Sequence, residues 1–587
     1  MPSPRNPGCG FFVFPVPEEL PVTTDERTRR ALDEESLPQR PDAWRLFTGF
    51  NSSAPRLPGA LRAAVAVTVP GAVALALGQD NASILIASGG FVVIYGEGHP
   101  YRARLRVMLT AAALLVLGAT AGAFVGSVMW AQLAAGGSHL WFLLSGLYTA
   151  LIATAGAYVQ NALRLRPPGV FFVVMVAGGS TMVARMGFNP LEVGGWAALG
   201  AVSAVLVGMS GWLVNPHGPE RSAVRAAAEA VDAYVGSAPS VGRRHNAQSA
   251  VAQAWSTLND AGIITGGRVA RERQRDLVER TLDANRRLTL RNEEVGSASE
   301  ADAGPLFDDH RSVIPHTRPS IMYRLTRSAN RHSHAFITAE KVFLATVCAA
   351  VTGVVLGFDR PDWAVVSALL MLQWGPDRIH GQVRGLHRLF GSLLGILLFG
   401  VIHHFGVSGY SLLLVLAASQ FAAEFFVTRN YALTVIATTP LALLMGDSLH
   451  QPFGDVFTDR MVEVVLSVAF GSLFLWAWRP TAGRRHHFRQ QIRCRKAMGS
   501  LLGALLVTPP SGAKEERRDL QYELLSERQA VNSLAVDHPD AALAAWADHV
   551  DIQRAGYAIL DYCSAHNDEM LTSAQVEGLA AHLKKVL

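Results

Sequence analysis

Apolar residues gather along this chain into twelve blocks arranged as two sets of six, with polar, helix-patterned stretches after each set. The first set spans 60–78, 82–95, 107–129, 140–159, 169–184 and 193–214, and the second spans 339–357, 362–374, 389–405, 409–427, 431–446 and 460–478. A helix needs about 20 residues to cross the hydrocarbon core of a bilayer. The blocks therefore predict transmembrane helices, and the short ones at 82–95 and 169–184 must be tilted, broken or shielded by protein. Between the sets, residues 216–335 carry Arg, Glu, Asp and Gln at helical spacing, as from Arg268 to Glu294, and then a Gly/Ser/Asp/Pro linker near 295–319. Residues 479–587 are again polar and helical in pattern, opening with a basic cluster from Arg479 to Lys496. Residues 1–59 are rich in proline and charge, and the apolar run Phe11 to Val16 is too short for a signal sequence. A cytoplasmic tail is expected there, with Trp44 to Phe47 as a short interfacial helix or part of a linker.

Composition sharpens this picture. Half of the 587 residues are apolar, yet mean hydropathy is only +0.22, as expected of a membrane part diluted by a polar part. Charged residues are 17% of the chain against about 25% in soluble domains. Cys9, Cys348, Cys494 and Cys563 are scattered and form no Cys-x-x-Cys pair, which excludes a disulfide-built fold, a zinc knuckle and a redox motif of that kind. Net charge is only +5. The basic residues sit mostly beside apolar blocks, where they act as topology signals. With the N-terminus inside, the inner loops hold Arg102, Arg104, Arg106, Arg164, Arg166, Arg378, Arg384, Arg388 and Arg429, and the outer loops hold Arg185, Arg360 and Arg460. Both sets then begin and end in the cytoplasm, and both large polar regions lie inside.

A shift of 282 residues places Arg102 on Arg384 and Arg106 on Arg388, each pair leading into a third helix after a short second one. Joined to equal helix number and topology, this predicts an all-α membrane protein of about twelve transmembrane helices in two parallel six-helix repeats, related by a pseudo-two-fold axis along the membrane normal. The expected divisions are a tail (1–59), a first membrane domain (60–215), a helical cytoplasmic domain with linker (216–335), a second membrane domain (336–478) and a helical C-terminal domain (479–587). Small residues at four-residue spacing, Gly118/Gly122/Gly126, Gly353/Gly357 and Gly391/Gly395, would let helices approach closely.

Four stretches of the second set carry a family resemblance: Arg360-Pro361-Asp362-Trp363-Ala364; the loop Pro376 to His387; Arg388 to Gly395; and Arg429-Asn430-Tyr431-Ala432-Leu433-Thr434 running to Thr438-Thr439-Pro440. This block, over about 90 residues, resembles the fusaric acid resistance (FUSC) family, which includes aromatic carboxylic acid exporters and is distantly similar to plant aluminium-activated malate channels. The first set departs from the pattern, with Asn81-Ala82 where Trp363-Ala364 stands and Gly178-Gly179-Ser180-Thr181 near the place of Thr-Thr-Pro.

Ionisable groups inside or bordering membrane helices are costly, by about 2.5–3.5 kcal/mol at a helix centre, so they are the first functional candidates. Glu424 is placed to load and release a proton, or else to snorkel and pair with Arg429. Arg102, Arg106, Arg384 and Arg388 stand at the cytoplasmic mouths, where a guanidinium can grip a carboxylate with two parallel bonds or merely fix topology. Trp363, Trp374, Tyr95 and Tyr431 can stack on an aromatic ring or anchor the interface. Thr438 and Thr439 precede Pro440, whose missing N–H frees a carbonyl and can break the helix along a substrate path. His403-His404 and His486-His487 lack metal-site spacing and read as surface or interfacial residues. No phosphate-binding loop and no hydrolase motif is present, so an enzyme is not expected and no cofactor or metal is implied.

The resulting reading is a multi-pass protein of the bacterial inner membrane with both termini cytoplasmic. The resemblance implies efflux of aromatic or other hydrophobic carboxylic acids, and the lack of a nucleotide site implies the proton gradient as its source of energy. Its partners are a small organic anion and the lipid bilayer, with a homo-oligomer left open and no nucleic acid. Two rivals stand beside it: an anion channel for organic acids, and a non-transporting scaffold that recruits partners through its cytoplasmic domains.

Overall fold

The computed structural model describes residues 26–40, 42–50, 57–79, 82–237, 241–265, 268–297, 319–444, 447–566 and 568–587. The run Phe11 to Val16, Asn81, Cys9 and nearly all of the 295–319 linker lie outside the described residues.

Two short helices come first, α1 (Glu26–Glu34) and α2 (Ala43–Thr48). The first apolar set follows as α3 (Leu57–Ala76), α4 (Ala82–Gly90), α5 (Val92–Tyr95), α6 (Tyr101–Ala134), α7 (Phe142–Leu163), α8 (Phe171–Val183), α9 (Pro190–Met209) and α10 (Gly211–Val214). The polar region then forms α11 (Gly218–Val235), α12 (Val241–Asp260) and α13 (Arg275–Ser297). An antiparallel pair of strands, β1 (Ile264–Thr265) and β2 (Arg268–Val269), joins α12 to α13 with Ile264 opposite Val269. After α14 (Ile321–Ser328) come α15 (His334–Val355), α16 (Pro361–Leu372), α17 (Arg378–His404), α18 (Gly409–Phe426), α19 (Tyr431–Leu444) and α20 (Phe453–Ala477). The chain ends in α21 (Ala482–Leu505), α22 (Lys514–Asp537), α23 (Pro539–Ala565) and α24 (Ser573–Lys584).

Among the described residues, eight helices are long and apolar enough to cross a membrane: four between Leu57 and Val214 and four between His334 and Ala477. Four shorter apolar helices, Leu85–Tyr95, Phe171–Met186, Pro361–Leu372 and Tyr431–Leu444, fall between them. Large side chains such as Leu117, Leu206 and Leu414 project outward at 66%, 68% and 68% exposure. Bands of this kind are unfavourable in water and ordinary against lipid tails. The short helix α16 shows how a sub-length segment is accommodated, since every one of its residues is buried, against α15, α20, α7 and α8. It is shielded by protein and meets no lipid.

Within the first set α6 packs on α8 and α9, and α4 on α9; within the second α17 packs on α19 and α20, and α16 on α20. Across the sets α7 packs on α15 and α3 on α18. Small residues permit the tightest crossings. A Cβ added at Gly122 would stand 2.2 Å from the Ala177 carbonyl oxygen of α8, and one at Gly395 would stand 2.6 Å from Thr439 Cβ of α19. Gly353 and Gly357 face open space, so they serve no such approach. One apolar core runs through both sets, and the two polar regions have cores of their own, around Trp255 and Leu258 in one and around Met498, Leu520 and Ile559 in the other.

The two polar regions touch the same end of the membrane helices. Arg102, at the start of α6, lies against Gly262 of the α12–β1 loop. Arg164, just past α7, donates from Nη2 to Ser526 Oγ of α22 at 2.6 Å, and both Asp537 carboxylate oxygens accept the Arg378 N–H at the start of α17.

Candidate functional site

The second apolar set contains a run of buried polar and charged groups built by α16, α17, α19 and α20. The part of it away from the polar domains forms where α16 begins. Pro361 occupies the first turn and Asp362 follows, accepting from Arg360 Nε and Nη2 at 3.1 Å each. The Arg360 guanidinium carbon lies 4.1 Å from the centre of the Trp363 ring, and that of Arg460, from α20, lies at the same 4.1 Å. Two cations thus bear on one indole, a favourable arrangement for a desolvated guanidinium. Arg460 is 2% exposed, and its Nε and Nη1 find no acceptor among the described residues. Glu463, one turn on and 1% exposed, receives no hydrogen bond on either carboxylate oxygen.

Toward the polar-domain end the run continues on α17. Arg388 is 3% exposed, donates from Nη2 to Ser367 Oγ of α16 at 3.1 Å, and keeps Nε without an acceptor. Arg384, one turn earlier, donates from Nε to the His380 carbonyl at 3.2 Å, and its Nη1 has no acceptor. The Tyr431 hydroxyl on α19 and the Ser392 hydroxyl on α17 are buried and unbonded as well. Buried donors in this state are uncommon, because each unmade bond costs about 1–3 kcal/mol and more for a charged group. Thr438 and Thr439 both donate to the Val435 carbonyl, at 3.4 and 2.8 Å. Their hydroxyls do not replace the bond that Pro440 withholds, and α19 continues through the proline as a helix.

Glu424 is buried on α18, with Gln420 one turn earlier. Arg429 donates from Nη1 to the Phe425 carbonyl and lies 3.8 Å over the Phe425 ring. In the first set, Arg102 and Arg106 are exposed on α6 and stand apart from the run of buried groups. The buried arginine there is Arg104, whose Nε and Nη1 donate to the Gly96 and Gly208 carbonyls at 2.8 and 3.0 Å. It ties α6 to α9 and the α5–α6 loop. The register that aligns Arg106 with Arg388 therefore does not carry burial with it, and among the described residues Arg384, Arg388, Trp363 and Tyr431 have no equivalent grouping around Arg102 and Arg106.

Two further elements were not legible as part of this region. Arg460 reads in the sequence as an outer-loop residue because the apolar block starts there. Helix α20 begins seven residues earlier, at Phe453, so Arg460 and Glu463 lie two turns inside it. Their spacing of three, just ahead of an apolar run, was the available signal. The other element is α2. The Phe47 carbonyl accepts from His387 Nε2 at 2.8 Å and Asn430 Nδ2 at 3.3 Å, and its ring packs on His387 and Phe390. The segment from Trp44 to Phe47 therefore covers the third and fourth turns of α17 and the start of α19, next to Tyr431 and Arg388. Among the described residues no cluster of three His, Cys, Asp or Glu side chains is placed to hold a metal ion.

These buried groups fall within the part of the chain that has recognisable relatives. Residues 346–474 match the family described as fusaric acid resistance protein-like. That span takes in Arg360, Trp363, Arg384, Arg388, Glu424, Tyr431, Thr438, Thr439, Arg460 and Glu463. The chain is also 24% identical over 577 residues to an uncharacterized membrane protein of Bacillus subtilis (strain 168), YvaC, covering 89% of this chain and 85% of that one. It is 25% identical over 177 residues to an uncharacterized protein of Escherichia coli (strain K12), YhfK, covering 30% of this chain and 25% of that one. No solved structure matches. The chain is a multi-pass membrane protein whose residues 346–474 are similar to the fusaric acid resistance protein-like family, a family that a transport or efflux role fits.

Proposed function

We propose that the protein is a bacterial inner membrane transporter that exports aromatic or other hydrophobic carboxylic acids at the expense of the proton gradient. The carrying observation is the pair Arg388 and Arg460: guanidinium groups almost fully buried among apolar helices, with N–H donors that no group among the described residues accepts. Such donors suit a carboxylate, which takes parallel bonds from a guanidinium. Trp363 and Tyr431 supply the aromatic surface that a ring on the same substrate would lie against, and Arg384 extends the cationic path toward the polar domains. Thr438 and Thr439 border it on α19. Arg102 and Arg106 serve as an electrostatic entrance, since they are exposed at the same end.

The proposed architecture is a duplicated six-helix unit. Its support is the reciprocal packing of α7 on α15 and α3 on α18, which a two-fold axis along the membrane normal would generate, and the repeated crossing of third on fifth helix in each set. The loop arginines support a cytoplasmic side for both termini and both helical domains. Glu424, a buried carboxylate on α18, is assigned proton coupling.

In an acid-sensitive host, expression should lower the cell content of an aromatic carboxylic acid, and a protonophore should abolish the difference. Equal accumulation with and without the protein across a broad acid panel would contradict the reading. Glu424→Gln should remove the pH dependence of the flux; an unchanged profile would take Glu424 out of the coupling step.

A further inference from the structure

Where α20 leaves the membrane block and α21 begins, the chain doubles back against the residues just ahead of α15. A cavity of about 390 Å³ opens there, lined by Arg331, His332 and Ile337 from one side and Arg479, Thr481 and Arg485 from the other. At roughly 30 Å³ per water, it has room for about a dozen waters or a small polar headgroup.

Its charge is lopsided. Arg479 donates to the Arg331 carbonyl at 2.7 Å and to Glu340 at 3.0 Å, which fixes that guanidinium in the wall and neutralises one cation. Arg331 and Arg485 are exposed at the rim, and neither is in an ion pair among the described residues. Burial and the charges of Arg331, Arg485, Arg489 and Arg479 together hold the His332 imidazole below its ordinary value. Four guanidinium groups therefore act on one point, with Glu340 as the counter-charge in direct contact.

The surroundings say which surface this cavity meets. It lies at the polar ends of two membrane-length helices, His334–Val355 and Phe453–Ala477. Phe336, Trp476 and Trp478 project outward beside it at 39%, 44% and 36% exposure. Tryptophans at that level mark the headgroup zone of a bilayer, and basic cavities between membrane helices at that level suit anionic headgroups. We propose that this cavity is a binding site for a phosphate group, supplied by the headgroup of an anionic phospholipid whose chains run along Phe336 and Trp478. Arg331 and Arg485 take the phosphate oxygens, Thr481 adds a hydroxyl, and Arg479 holds the wall in place. The inference needs only that these helices span a bilayer, so it stands or falls separately from the transport reading.

The test uses the full chain purified in mild detergent, with its thermal midpoint followed as phosphatidylglycerol, phosphatidylcholine or inorganic phosphate is added. Phosphatidylglycerol should raise the midpoint, phosphatidylcholine should not, and the gain should shrink with added salt because the rim arginines are exposed. The double variant Arg331→Gln/Arg485→Gln should keep its lipid-free midpoint and lose apparent lipid affinity by about tenfold or more. Arg484→Gln, an exposed arginine outside the lining, should bind as the parent does. Inorganic phosphate giving the full gain would support the phosphate site while overturning the lipid as its source. Persistence of the phosphatidylglycerol gain in the double variant, or an equal gain from phosphatidylcholine, would overturn the proposal.

Discussion

Glu527 of α22 is fully buried between two histidines: His487 Nε2 at 2.9 Å from one oxygen, His549 Nδ1 at 2.7 Å from the other. Burial works against its charge, but the hydrogen bonds from His487 and His549 outweigh that and bring the carboxyl down to about 2. Burial likewise opposes the His549 imidazolium, and the carboxylates of Glu35 and Glu527 hold it up at about 9. The sign of each contribution follows from linkage. The stabilisation through Glu527 is present above its ordinary 4.5 and lost as pH falls through about 2; that through His549 is complete below its ordinary 6.5 and lost as pH rises through about 9. The thermal midpoint of the C-terminal helices should therefore decline between pH 6.5 and 9, and His549→Gln should flatten that limb; an unchanged limb would refute the assignment. Neither group was legible in the sequence. His486-His487 reads as a surface pair because its partner stands forty positions away in α22, and local pattern carries no information on pairing at that distance.

The helices themselves were largely legible, since lipid-facing apolar runs are long and bounded by charge. Their ends were not. Helices α6, α17 and α20 begin at Tyr101, Arg378 and Phe453, ahead of the apolar blocks at 107, 389 and 460. Hydropathy marks where a helix meets lipid, and these first turns are polar: those of α6 and α20 carry exposed residues such as Arg102, Arg106 and Asp455, while those of α17 are largely covered by protein. In α17 the first turn is capped by Asp537, and the third and fourth turns are covered by α2. The packing of Phe47 on His387 and Phe390 also explains why so short a helix as α2 is held, since its six residues make too few backbone bonds to persist alone. Phe47→Ala should free this segment, seen as faster proteolytic cleavage near residues 40–50 with the membrane helices intact; an unaltered cleavage rate would show that α2 is anchored elsewhere.

The proposed duplication rests on the order and pairing of helices more than on residue identity. The arginine register that suggests it in the sequence breaks down in detail, because α6 buries Arg104 where α17 buries Arg388. An asymmetric pair of halves, with the unpaired donors concentrated in one, makes the second set the expected home of the substrate. Both helical regions rest on one end of the bundle, so reporters fused at Leu587 and inserted near residue 300 should lie on the same side of the bilayer; opposite sides would end the two-fold description. The most direct measurement is flux of a radiolabelled aromatic carboxylate in liposomes containing the purified protein, compared between the parent, Arg388→Lys and Arg388→Gln. The account predicts protein-dependent flux that falls at least tenfold in both variants, because the lysine keeps the charge and loses the two-pronged grip. Flux in either variant equal to that of the parent would contradict it.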